Sequence, residues 1–246
     1  MTVFDDLAAE QDRLDGILSD LSPAQWLEES GAAGWSVADV VLHLAQSEEG
    51  VVASASGRDL RSAFAPAASE TVGDFADEMV RRDRAAPSVV YDRWQRARRA
   101  AMAALLAADP QRALVWVAGT VKPATLATTR LAEHWAHGLD ITEPLGVSFA
   151  DTGRLRHIAW LAHRTLPYAM TMAGSPVVAV RCVLTAPSGT ENWAFGPEDA
   201  SSSITGPAGE FCRVAAQRLK PDAAAGLTAR GPHGAVALHV LRTYAV

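Results

Sequence analysis

Apolar and polar positions follow a period near 3.6 over most of the first 170 residues. Phe4, Leu7, Ala8, Leu14, Ile17, Leu18 and Leu21 form one stripe, which predicts an amphipathic helix over 4–20. Ser22-Pro23 starts a short helical turn anchored by Trp26 and Leu27, and Gly31 to Gly34 read as a loop. Ser36, with Asp39 three residues on, has the form of a capping box. It opens a helix that turns Val37, Val40, Val41 and Leu44 inward. Residues 57–70, including Gly57, Arg58, Pro66 and Ser69, read as a polar loop before a short helix over 72–84. Ser88 is expected to cap a longer helix to Ala108, with Val89, Val90, Trp94, Ala97, Met102 and Leu105 facing in. Asp109-Pro110 stops it. Leu114 to Gly119 is a short extended segment or turn. Pro123 then opens a helix that Pro144 closes, and another helix is predicted over 152–173.

The period changes near Gly174-Ser175-Pro176. Val177 to Thr185 is β-branched and reads as a strand, as does Asn192 to Phe195. A third strand over 201–205 leads through Gly206-Pro207-Ala208 into a helix over 208–219. Segments 224–228 and 235–240 are the last strand and helix. The expected fold class is therefore α plus α/β, with an all-helical domain over 1–173 and a small α/β domain over 174–246.

Composition narrows the function classes. The chain has 246 residues, 49% hydrophobic and 20% charged, as soluble globular proteins do. No apolar run reaches the roughly 18 residues a membrane helix needs. The start, Met1-Thr2-Val3-Phe4-Asp5-Asp6, lacks the basic and apolar parts of a signal peptide, so a cytoplasmic location is expected. A net charge of −6, with Arg81–Arg84 and Arg96–Arg99 set among acidic or apolar residues, argues against nucleic acid as a partner. Two cysteines, Cys182 and Cys212, fit a reducing compartment and read as small core residues.

The chemistry concentrates in Arg130-Leu131-Ala132-Glu133-His134-Trp135-Ala136-His137-Gly138-Leu139-Asp140. Helical spacing puts Glu133 and His137 one turn apart on one face, with Arg130 and Asp140 close to it and His134 turned away. A carboxylate and an imidazole so placed can both ligate a transition metal. The order E-H-x-x-H is not the H-E-x-x-H of metalloproteases. The same residues also read as a buried polar patch, with Glu133 paired to Arg130 and His137 hydrogen-bonded in the core. A metal would need a third ligand. His43 is the candidate, with Asp39 one turn before it to orient the ring, since ligand histidines are commonly fixed through their second nitrogen.

These segments resemble the DinB-like superfamily, in particular the mycothiol-dependent maleylpyruvate isomerase family and an actinobacterial metal-binding subgroup of it. One segment is W-[ST]-V-x-D-V-x-x-H-L-A, here Trp35 to Ala45. The other is R-x-x-E-x-x-x-H-x-x-D, here Arg130, Glu133, His137 and Asp140. The segment from Ile204 to Arg218 is similar to the strand, turn and helix of the family's second domain. The resemblance implies a DinB-like four-helix bundle followed by a sterol-carrier-protein-like α/β domain. It also implies a metal triad of His43, Glu133 and His137, with Asp39 and Asp140 behind the imidazoles. An arginine of the second domain would bind thiol or substrate; Arg218 is the first candidate and Arg213 the second. The metal would be divalent, zinc first, with nickel and iron also suited to imidazole and carboxylate. Mycothiol would be the cosubstrate, its thiolate adding to a small electrophilic molecule in isomerisation or S-transfer. Two readings stand beside this one. A metal-water hydrolase or lyase would use the fourth tetrahedral position that two imidazoles and one carboxylate leave open. A non-catalytic protein would bind metal or a small ligand, with the second domain as a pocket or a homodimer surface.

Overall fold

The structure is a computed structural model and describes residues 2–58, 72–117 and 119–243. Most of the expected polar loop over 57–70 lies outside the described residues. In the first part of the chain the helices are α1 (Val3–Asp20), α2 (Val37–Ala55), α3 (Val72–Asp83), α4 (Pro87–Ala107) and α5 (Pro123–Thr142). A 3-10 turn, Gln25–Leu27, joins α1 to α2. A small antiparallel hairpin, β1 (Leu114–Trp116) and β2 (Gly119–Val121), precedes α5. The second part holds α6 (Leu155–Met172), β3 (Val180–Thr185), β4 (Asn192–Phe195), β5 (Ser202–Pro207), α7 (Ala208–Ala215), β6 (Thr228–Arg230) and α8 (Gly234–Val240). The expectation of a helical N-terminal region and a sheet-containing C-terminal domain is met.

Local chemistry explains the helix starts. Thr2 and Ser36 each form a complete capping box, with Asp5 and Asp39 as their third helical residues. In α4 the start is two residues earlier than expected. Ala86 is the cap and Pro87 takes the first helical position, where proline's fixed φ and missing N–H carry no penalty. Val89 consequently faces solvent at 53% exposure, not the core.

In the helical unit α1, α2, α4 and α5 pack on one another, with α2 against both α4 and α5 and α1 chiefly against α5. Leu14, Leu18, Trp26, Val37, Val40, Val41, Leu44, Val80, Val90, Trp94 and Ile141 make its core. Gly138 is required on α5, because an added Cβ would lie 2.5 Å from the Phe149 ring.

Contacts divide the chain after Phe149, earlier than the boundary expected at 173. The reason is packing. Although α6 continues the helical pattern of the first part, its apolar face covers α7 and α8. Its residues Leu155, Ile158, Ala159, Ala162 and Leu166 are buried there. The sheet of this unit runs β4-β3-β5-β6. β3 pairs antiparallel with β4 and parallel with β5, and Cys182 lies opposite Phe195 on one side and Ile204 on the other. Alternation turns Val180, Cys182 and Leu184 inward. The strand begins at Val180, where pairing with Ser202 begins, and Val177 is left exposed.

Candidate metal centre

The capping box at Ser36 sets the phase of α2, so that His43, two turns in, faces α5. From α5, Glu133 and His137 project one turn apart toward the same point. His43 Nε2 lies 3.7 Å from Glu133 Oε2, and His137 Nε2 lies 3.5 Å from the same oxygen. One potential ligand atom from each of the three side chains lies within 4.8 Å of the others. A cation bound at 2.0–2.2 Å in tetrahedral geometry separates its ligand atoms by about 3.4 Å. Both histidine–carboxylate distances fit that value. The donor set, two imidazoles and one carboxylate, is of the type that leaves a fourth position open. The side chains of His43 and Glu133 are 18% and 29% exposed, so solvent reaches the edge of the cluster.

The ring of His137 is oriented. Its Nδ1–H donates to Asp140 Oδ2 at 2.8 Å, and Asp140 is buried. This leaves the Nε2 lone pair directed at Glu133 and His43, the tautomer a ligand needs. Asp140 is itself fixed from the far side, where the Gly31 N–H donates to its carbonyl at 2.7 Å. A Cβ at Gly31 would stand 3.1 Å from Asp140 Cα, so only glycine allows this approach without a shift. Trp35 forms a wall. Its indole centroid is 5.1 Å from that of His43 and 6.3 Å from that of His137, stacked on the latter. The indole N–H donates to Asp77 Oδ1 at 2.7 Å. Trp35 also lines a cavity of about 390 Å³ with Asp39 and Arg84, which none of the three converging residues borders.

The local charges follow from burial and neighbours. Burial opposes ionisation of Glu133, but both histidines and Arg130 outweigh it and hold its carboxyl well below the usual range. Burial, helped by His137 and Arg130, keeps His43 below its ordinary value despite Glu133. For His137, burial is overcome by Asp140 and Glu133, and its pKa is raised.

Asp39 does not orient His43. Its carboxylate is taken by Arg84, which donates from Nε and Nη2 at 2.9 Å each, and by the Ser36 N–H of the capping box. Capping geometry aims the side chain back toward the helix start and away from the ring one turn on. The expected pairing of Glu133 with Arg130 is also replaced, since Arg130 Nε donates to Glu48 Oε1 at 2.9 Å in the core. Glu48 was missed by sequence reasoning. Its signal is a charge where the Val41–Leu44 stripe of α2 continues to Val51, a position that demands a buried partner. His134 accepts from Trp94 Nε1 at 3.3 Å and donates to the Arg130 carbonyl at 2.8 Å. Burial first, then the Arg130 charge, pulls its pKa down to about 3, so it is a neutral core residue. In the second unit Arg213 is bound by Asp151, and Arg218 Nη1 donates to its own chain at the Ala216 carbonyl. Cys182 and Cys212 are buried, as expected of core residues.

Residues 7–142 match the family model described as the mycothiol maleylpyruvate isomerase N-terminal domain. The chain is 35% identical over 219 residues to uncharacterized proteins from two strains of Mycobacterium tuberculosis, covering 87% of this chain and 84% of each relative. It is similar in fold to crystal structures of the mycothiol-dependent maleylpyruvate isomerase and of its histidine-to-alanine mutant. The TM-scores are 0.63 and 0.62, at 16% identity and with 94% of each chain covered. No helix among the described residues is long and apolar enough to cross a membrane.

Proposed function

The chain belongs to the mycothiol maleylpyruvate isomerase N-terminal domain family, and from that premise we propose that it is a metal-dependent enzyme using mycothiol as cosubstrate. His43, Glu133 and His137 hold a divalent cation, zinc before nickel or iron. The helical unit is then a DinB-like four-helix bundle and the second unit a sterol-carrier-protein-like domain. The observation that carries the reading is the convergence of the three side chains, with the second nitrogen of His137 tied to Asp140.

A bound divalent cation supplies one thing here: it favours the ionised form of a thiol placed at the open position. The chain's own residues do the rest. Asp140 holds His137 in the ligating tautomer. Glu133 contributes a full negative charge, kept ionised by its neighbours. The Trp35 ring closes one side and limits water around the sulfur. The thiolate sulfur would add to an electron-poor double-bond carbon of a small molecule, the π pair moving onto an adjoining carbonyl as an enolate. Rotation about the new single bond and return of that pair with expulsion of the thiolate would complete an isomerisation; protonation of the enolate carbon, with the carbon–sulfur bond kept, would complete an S-transfer. By the family resemblance, Arg218 is the first candidate for thiol or substrate binding in the second unit and Arg213 the second.

Metal analysis of the purified protein, with and without mycothiol, tests the centre. The unchanged chain is expected to hold about one divalent cation and His43→Ala to lose it. Full occupancy in His43→Ala rejects the ligand set. A screen of small electrophiles tests the cosubstrate, with turnover expected only when mycothiol is present. Product formed equally without thiol overturns the mycothiol reading.

A further inference from the structure

The converging side chains come from two helices, so whatever fixes α2 against α5 fixes their spacing. Glu48 and Arg130 meet at that seam. Arg130 Nε donates to Glu48 Oε1 at 2.9 Å, with side-chain exposures of 3% and 0%. Glu48 follows His43 by five residues, and Arg130 precedes Glu133 by three. The two contacts therefore join antiparallel helices, one to two turns apart along the axis.

A sealed ion pair is not needed merely to hold two helices together. Apolar residues of similar volume do so at least as well, because desolvating two charges offsets most of their attraction. This pair is not even fully satisfied: Glu48 Oε2 and Arg130 Nη2 are buried without a hydrogen-bond partner among the described residues. What it has over an apolar contact is direction. A charge-assisted N–H to carboxylate bond fixes axial slip and rotation, which apolar side chains leave softer. Its surroundings extend that constraint. His134 bonds to the Arg130 carbonyl and accepts from Trp94 of α4, and Trp116 of β1 lies 5.9 Å over the guanidinium.

Resting on the metal-centre reading above, we infer that the Glu48–Arg130 ion pair is a positioning device that sets His43 at coordinating distance from Glu133 and His137. Neither residue touches the cation. The pair acts through the relative placement of α2 and α5.

Cobalt(II) titration of the full chain, followed by its visible absorption band, tests this without reference to activity. The unchanged protein is expected to bind cobalt with a low-coordinate band. Glu48→Gln keeps the shape and removes the charge. It is expected to weaken cobalt binding by about tenfold or more, in the range of other supporting residues of metal sites, and to change the band. The double variant Glu48→Met with Arg130→Met restores an uncharged, filled seam and guards against simple unfolding. It is expected to recover thermal stability but not the native band. Leu14→Ala, a core truncation on α1, is the stability control and should leave cobalt affinity within about twofold. Native cobalt affinity and band in Glu48→Gln and in the double variant overturn the inference. So does a loss of equal size in Leu14→Ala. An unchanged protein that takes up no cobalt overturns the metal-centre reading itself, and the positioning role with it.

Discussion

Asp140 offers the sharpest test of how the site is held. Its Oδ2 accepts the His137 Nδ1–H at 2.8 Å, and the residue is only 4% exposed, so the bond is charge-assisted and poorly replaced by water. Removing such a partner typically costs 10–100-fold in metal affinity, or about 1.4–2.7 kcal/mol. Asp140→Asn keeps an acceptor oxygen and loses the charge, so it should sit near the tenfold end. Asp140→Ala leaves a buried imidazole N–H without its partner and frees the ring to turn, so it should approach the hundredfold end. A second effect separates this account from general damage. Asp140 and Glu133 together raise the His137 pKa above its ordinary value in the metal-free protein. Below that raised pKa a cation must displace a proton, and apparent affinity falls about tenfold per pH unit. Without Asp140 the break should move to lower pH. Competition with a chromophoric chelator for zinc, from pH 8.5 down to 5.5, reads both quantities. Unchanged affinity together with an unchanged break in Asp140→Ala would refute the reasoning.

Other outcomes follow from the same geometry. Gly138→Ala should destabilise the protein by roughly 1–3 kcal/mol in urea melts, because the Phe149 clash outweighs a helix-propensity gain of about 1 kcal/mol. His134 has a folded pKa near 3 against about 6.5 unfolded, so the unfolded chain binds more protons below pH 6.5. Its contribution is fully present above pH 6.5 and is lost at about 1.4 kcal/mol per unit as pH falls toward 3. A His134→Gln variant should show a urea midpoint that falls less steeply between pH 6.5 and 5; an identical slope refutes the assignment. Burial pushes the Cys182 thiol up to about 12, and Cys212 is also raised. A chromogenic disulfide reagent at pH 8 should therefore find no reactive thiol until denaturant is added.

Much of the site was legible because helical spacing is rigid. Glu133, His137 and Asp140 share a face on α5 by arithmetic alone, and the His137–Asp140 contact follows from it. The meeting with His43 is a tertiary fact that periodicity does not encode; His43 is singled out by the carboxylate one turn before it, and the resemblance of two segments then supports the choice. Asp39 was misread because a capping residue and a helix-face residue have the same sequence spacing, and the capping role claimed the side chain. The division at 173 was misread because α6 has an ordinary amphipathic pattern, and nothing local says which layer an apolar face will cover. Glu48 and Arg130 were each visible as charges in apolar helices, but only three dimensions reveal that they belong to each other.

His43 and the Glu133–His137 pair come from stretches of chain about ninety residues apart. An ion gripped by both would be a staple across the helical unit, and its uptake would be thermodynamically linked to folding. At a free concentration one hundred times its Kd, such an ion adds about 2.7 kcal/mol to the native state. Availability of the ion would thus govern how long the chain persists as well as whether it works, so that starvation for metal would thin the population of folded molecules.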